Sequence, residues 1–234
     1  MSHLLTHKGR STDRQAPLLR SWRSALPSET AFRAWWIHFL EMADIRPGVR
    51  VLDLAGETAG MALHLLRMVE PGGKVVCLSF TEQQMERVRA EARSFGLAIE
   101  SKIEWRVATS HRLPFEDGQF DVISCMEGVR HLNVPHFARE AHRVLAAGGR
   151  LVLTERLLPG TPRDRFFVSA RRAFYRYVRR NPEEADAVLY TADQLAELLR
   201  AAGFAQVFLR GLERPRFGWF PVLSLVRAWK GGIR

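Results

Sequence analysis

A chain of 234 residues, 47% apolar and 26% charged, has the balance of a folded soluble domain with a real core, which excludes a disordered or fibrous polymer. Its net charge of +10 rests on arginine, with lysine only at Lys8, Lys74, Lys102 and Lys230. That charge suits partners bearing phosphates, carboxylates or anionic headgroups, but it is spread along the chain and no RNA-binding module accompanies it, so nucleic acid is not the expected partner.

No apolar run approaches a membrane span, and Met1 to Ser21 lack the apolar segment of a secretory signal, so a cytoplasmic location is expected. Cys77 and Cys125 fall inside apolar strand patterns. No spacing of cysteine, histidine or acid predicts a metal site.

Residues 1–27 carry Arg10, Arg14, Arg20 and Arg23 without periodicity and read as a mobile basic arm preceding one domain, 28–234. Ser28 is placed to cap a helix in which Phe32, Trp35, Trp36, Phe39, Leu40 and Ala43 recur at helical spacing, ended by Pro47-Gly48. A short apolar strand, Arg50 to Leu54, runs into the small-residue corner Ala55-Gly56-Glu57-Thr58-Ala59-Gly60, and a helical pattern follows from Met61 to Val69. Strand, tight turn and helix N-terminus make the corner where free amides face a nucleotide-like ligand.

Alternation then continues. Lys74–Ser79 is a second strand, and Thr81-Glu82-Gln83-Gln84 opens a helix to about Phe95. Ile103–Val107 and Asp121–Cys125 are strands, Pro135 starts a helix through Val144, and Ala147-Gly148-Gly149 turns into a strand at Leu151–Thr154. This rhythm predicts a parallel sheet covered on both faces, with ligands beyond the strand C-termini.

Arg163–Arg180 reads as a helix with Phe166, Ala170, Ala173, Phe174 and Tyr177 along one side and six arginines over much of the rest. The apolar side is expected to pack on the sheet with the basic face in water; contact with an anionic membrane surface and contact with nucleic acid are the other readings. Thr191-Ala192-Asp193-Gln194 caps a further helix ending at Gly203. Val207–Leu209 and Val222–Trp229 are closing strands, the last pair expected antiparallel.

Three stretches carry a resemblance: Val51-Leu52-Asp53-Leu54-Ala55-Gly56, Leu113-Pro114-Phe115-Glu116-Asp117-Gly118-Gln119-Phe120-Asp121, and Gly128-Val129-Arg130-His131. Arg143-Val144-Leu145 and Gly148-Gly149-Arg150-Leu151 complete it. In this order they resemble the class I S-adenosylmethionine-dependent methyltransferases, and within them the ubiquinone/menaquinone-biosynthesis C-methyltransferases, over about residues 30–160. The resemblance implies a Rossmann-like α/β fold: a seven-stranded, mostly parallel sheet with helices on both faces and an antiparallel last strand. It also implies methyl transfer from S-adenosylmethionine to a small aromatic, quinol-like or natural-product substrate. Residues 161–190, which carry little of the match, are expected to form a helical lid or insertion.

By that resemblance Asp53, Ala55, Gly56 and Glu57 meet the methionine end of the cofactor, Ser79 the ribose, and Phe80 and Thr109, followed by Ser110, the adenine; Gln84 and Cys125 complete the expected cofactor-binding set. The Gly-x-Gly-x-Gly spacing holds Ala55, Glu57 and Ala59, Ser79 replaces a ribose-binding acid, and Thr109 replaces an adenine-binding Asp or Asn. Exchanging charge-assisted hydrogen bonds for neutral ones loses on the order of 1 kcal/mol each, so weak cofactor binding is expected.

His131, flanked by Glu127 and His111, is the best-placed general base, because neutral imidazole titrates near working pH. Its other reading is a capping or solvent-facing histidine. The function also admits an alternative, a methyltransferase-like protein that has lost methyl transfer and serves as a partner subunit or as a repurposed catalyst such as a cyclase. A homo-oligomer and a peripheral membrane location are likewise left open by the sequence.

Overall fold

The structure is a computed structural model that describes residues 29–54, 59–94, 96, 100–108, 112–126, 128–212 and 221–232. The basic arm and the calls on Ala55, Gly56, Glu57, Thr109, Ser110, His111 and Glu127 lie outside the described residues.

Seven strands form one sheet: β1 (Arg50–Leu54), β2 (Lys74–Ser79), β3 (Ile103–Val107), β4 (Phe120–Met126), β5 (Leu145–Leu157), β6 (Gln206–Gly211) and β7 (Val222–Trp229). Their order is β3-β2-β1-β4-β5-β7-β6, with β7 inserted antiparallel to both β5 and β6 and the remaining pairs parallel. The helices are α1 (Glu29–Ala43), α2 (Gly60–Val69), α3 (Glu82–Ser94), α4 (Val134–Val144), α5 (Asp164–Ala173), α6 (Pro182–Asp186) and α7 (Ala192–Ala201).

Because side chains alternate across a strand, each strand feeds two cores. One holds Val51, Val75, Cys77 and Val122 against Trp35 and Phe39 of α1, Leu63 and Leu65 of α2, and Val88 of α3. The other holds Leu52, Leu78, Ile123 and Leu151 against Phe137 and Ala141 of α4 and Leu195 and Leu199 of α7. The α2–β2 turn demands glycine at Gly73, where an added Cβ would stand 2.5 Å from Val69 and 2.6 Å from the Val49 carbonyl.

Arg143 ties two of the recurrent motifs together. Its guanidinium donates to the carbonyls of Leu113 (3.0 Å) and Phe115 (2.8 Å) and to Asp117 (2.8 Å), while Glu140 accepts from the Leu113 amide at 2.8 Å. The Leu-Pro-Phe run and the Arg-Val-Leu junction are therefore two halves of one contact.

Three expectations change. The fifth strand extends over thirteen residues, Leu145–Leu157, instead of starting after the Gly148-Gly149 turn. Its register shifts between the Phe120–Leu145 and Val122–Arg150 pairs, and β7 pairs along it from Arg150 to Leu157. The segment 163–180 is α5 followed by a wider π turn, Phe174–Val178. Its apolar side does not pack on the sheet, while Arg165, Arg172, Arg176, Arg179 and Arg180 lie in water as expected. Phe166 (73% exposed), Phe174, Tyr177 (76%) and Val178 point outward, as do Ala170 and Ala173, whereas Arg171 is drawn inward to Glu184 and Tyr175.

Candidate active site

Asp53, Cys77, Ser79 and Ser124 share one face of the sheet at the C-terminal ends of β1, β2 and β4, because Asp53 pairs in register with Cys77 and Ser124 and Ser79 lies two residues beyond Cys77. All four are buried. The Ser124 hydroxyl donates a short hydrogen bond to Asp53 Oδ1, leaving Asp53 Oδ2 and the Ser79 hydroxyl without a partner. Burial pushes the Asp53 carboxyl up to about 7, against the lowering effect of Ser124. Buried polar atoms left unpaired are uncommon and costly, and here two stand at neighbouring strand ends.

Around this point Phe80 is half-buried, and its amide donates to Gln84 Oε1 at 3.4 Å, while Thr81 caps the Gln84 amide at 3.1 Å. Gln84 thus helps shape the β2–α3 turn. Cys125 is also buried, but in the opposite core with Leu54 and Leu78, and burial raises its thiol to about 12. It is not brought together with Asp53 and Ser79.

After β4, Val129–His131 form a single 3-10 turn. Asn133, not His131, caps α4, accepting from the His136 amide at 3.2 Å. Capping is therefore not what His131 does. Its Nε2 lies 3.2 Å from Glu184 Oε1, and its side chain is 34% exposed.

Arg130 turns the other way, donating through its guanidinium (3.0 Å) and its backbone amide (3.1 Å) to Glu155, a carboxylate only 1% exposed on β5. Arg130 also reaches Glu184 at 3.3 Å. Glu184 is held down to about 2 by its hydrogen bond from His131 together with Arg130 and Arg171.

Reading from sequence missed Glu155, Glu184 and Glu91, whose carboxylate accepts the Ala59 amide at the start of α2 (2.9 Å). A signal existed for one of them: Asn181-Pro182-Glu183-Glu184 is a helix-start signature, and the Asn181 side chain caps the Glu184 amide. Beside the exits of β4 and β5, where Val188 donates to the Arg130 carbonyl and Leu158 to that of Tyr190, an open groove of about 460 Å³ is lined by Val188, Leu189, Tyr190, Gln194, Glu197, Leu198 and Ala201, and by none of Asp53, Ser79 or His131.

The sheet order, the antiparallel inserted strand and the polar corner at β1 and β2 define a class I methyltransferase fold. Geranyl diphosphate methyltransferase in complex with SAM superposes with a TM-score of 0.69 at 16% identity, covering 96% of this chain and 93% of that one. The [4+2]-cyclase SpnF superposes with a TM-score of 0.63 at 19% identity, covering 83% of this chain and 80% of that one. At these identities the likeness is one of fold.

The sequence pattern of the ubiE/COQ5 methyltransferase family matches residues 25–178, and the chain belongs to that family. The ubiquinone/menaquinone biosynthesis C-methyltransferase UbiE of Dinoroseobacter shibae is 30% identical over 220 residues, covering 85% of this chain and 80% of that protein. UbiE of Pseudomonas entomophila is 36% identical over 126 residues, so the match spans 53% of this chain and about half, 48%, of that relative.

Family membership implies S-adenosylmethionine as methyl donor. The described residues fit it: Asp53 Oδ2 and the Ser79 hydroxyl are buried acceptors awaiting donors, of the kind that an amino-acid or ribose moiety supplies. Among the described residues no group of histidines, cysteines and acids is arranged to hold a metal ion, and no helix is long and apolar enough to cross a membrane.

Proposed function

We propose that this chain transfers a methyl group from S-adenosylmethionine to a ring carbon of a quinol-like aromatic substrate. The observation that carries this reading is the pair of unpartnered buried oxygens, Asp53 Oδ2 and Ser79 Oγ, at adjoining strand ends. Asp53 would hold the methionine end and Ser79 the ribose. The bound cofactor supplies an electrophilic methyl on a sulfonium.

The chain's own part is alignment and proton transfer. His131 takes the proton of a ring hydroxyl, which raises electron density on the neighbouring ring carbon. That carbon would accept the methyl that the sulfonium would supply, and loss of its hydrogen as a proton would restore the aromatic ring. Incubation with S-adenosylmethionine and a set of alkyl-substituted hydroquinones is expected to give S-adenosylhomocysteine and a C-methylated product, distinguished from an O-methyl ether by NMR. An exclusively O-methylated product, or none from any hydroquinone, contradicts the reading.

Residues 161–190 serve in this proposal as a lid that also meets an anionic membrane surface. Phe166, Phe174, Tyr177 and Val178 are exposed together with Arg165, Arg172, Arg179 and Arg180, which pairs apolar area with positive charge as an interfacial helix requires. A second copy of the chain is disfavoured as occupant, since it presents the same positive charge. Binding to vesicles containing about a third phosphatidylserine should weaken in high salt and fall on the double substitution Phe166→Ser/Tyr177→Ser. Equal retention on neutral vesicles, or indifference to both salt and substitution, overturns the membrane contact.

A further inference from the structure

We infer that Glu184 is the positioning residue for His131, fixing the neutral imidazole with its proton on Nε2 and its basic lone pair on Nδ1. The inference deepens the proposed function and rests on it for the role of His131; the geometry it starts from stands independently.

Glu184 lies in α6, far along the chain from the turn it meets, 54 positions from Arg130. An ionised carboxylate only accepts hydrogen bonds, so the 3.2 Å contact between Glu184 Oε1 and His131 Nε2 requires the proton on Nε2. Glu184 is itself held from several directions. Arg171 donates to Oε2 with one guanidinium nitrogen and to the Glu184 carbonyl with another at 2.5 Å, and it stacks over Tyr175 at 4.6 Å. Arg130 reaches Oε1 at 3.3 Å, and Asn181 caps the Glu184 amide at 3.1 Å. The carboxylate therefore has little freedom to follow a rotating imidazole; the imidazole is oriented by it.

Placement decides the chemistry. The Val129–His131 turn is locked to β5 by the Arg130–Glu155 pair and to the segment after α6 by the Val188 amide on the Arg130 carbonyl at 2.9 Å. Glu184 thus joins two bodies, the strand-four exit and the α5–α6 excursion. The base is set in its working tautomer only while α6 is seated against the β4 exit. A carboxylate that orients a histidine by accepting from one ring nitrogen, leaving the other to take the substrate proton, is the same division of labour as in hydrolase triads. Here two arginines share the carboxylate, so its charge is balanced without the imidazole being protonated.

The test is the ring tautomer of His131, read from the 15N resonances of the full-length protein at a pH of about 8.5, above the ordinary imidazole range. The wild type is expected to show a pyrrole-type Nε2 and a pyridine-type Nδ1, with the Nε2–H form in excess by roughly tenfold or more. Glu184→Gln, whose amide oxygen still accepts, keeps that pattern. Glu184→Leu, folded by circular dichroism, shifts it toward a mixture and lowers kcat on a hydroquinone substrate without changing cofactor affinity.

A wild type with the proton on Nδ1 overturns the inference, as does a folded Glu184→Leu with an unaltered tautomer. If Glu184→Leu does not fold, the wild-type resonances decide alone. Failure of the enzyme to bind S-adenosylmethionine removes the proposed function but leaves the tautomer result intact, so the two are separable.

Discussion

His131→Ala is expected to lower the rate of methyl transfer about 10²- to 10⁴-fold while leaving the affinity for S-adenosylmethionine unchanged, the range for loss of a positioned general base. The side chain is one-third exposed, and α4 takes its cap from Asn133, so removing the imidazole leaves no cavity and no uncapped helix. Its cost falls on chemistry instead of folding. A rate within threefold of the wild type, with the C-methyl product unchanged, removes His131 from the mechanism.

Arg130→Ala carries the largest expected effect on stability. Glu155 is 1% exposed, and its cationic partner is the Arg130 guanidinium at 3.0 Å. A buried carboxylate left without its cation costs about 3–5 kcal/mol, much more than the pair's own net attraction. For a chain of this size that is a fall in Tm on the order of 10 °C. Adding Glu155→Gln should restore part of the loss, because the unpaired charge is gone and the amide oxygen still accepts from one of the two backbone amides, Arg130 or Arg156, that the two carboxylate oxygens serve. Thermal unfolding of the two variants checks both statements. A double variant less stable than Arg130→Ala would show that the charge is not the source of the cost.

The sheet was legible because its signals are local. β2, β3 and β7 follow apolar runs bounded by Gly-Gly, capping residues and turns, and each begins and ends where the pattern does. β5 was shortened because its first residues owe their strand geometry to distant partners: the Gly148 amide bonds the Gly231 carbonyl, and the Trp229 indole donates to Gly148.

The apolar stripe of α5 lies in water instead of on the sheet for a related reason. Helical spacing separates two faces but does not say which one meets the protein, and here a carboxylate from α6 provides the partner that draws Arg171 in. Of the candidate site, Asp53, Ser79 and His131 stand out through motif position. Glu184 and Glu155 do not, since what makes them matter is a contact between segments with no common spacing. Asp53 and Ser79 illustrate a further point: the sequence identifies them, but only the fold reveals that each is sealed from water with an oxygen unpaired.

The central claim is that the corner at Asp53 and Ser79 still holds S-adenosylmethionine despite the departures at Glu57, Ser79 and Thr109. Calorimetric titration with S-adenosylmethionine and S-adenosylhomocysteine tests it directly. Saturable binding with a Kd between roughly 10 μM and 1 mM, lost in Asp53→Ala and weakened in Ser79→Ala, is the predicted result. No binding of either ligand at millimolar concentration would contradict it.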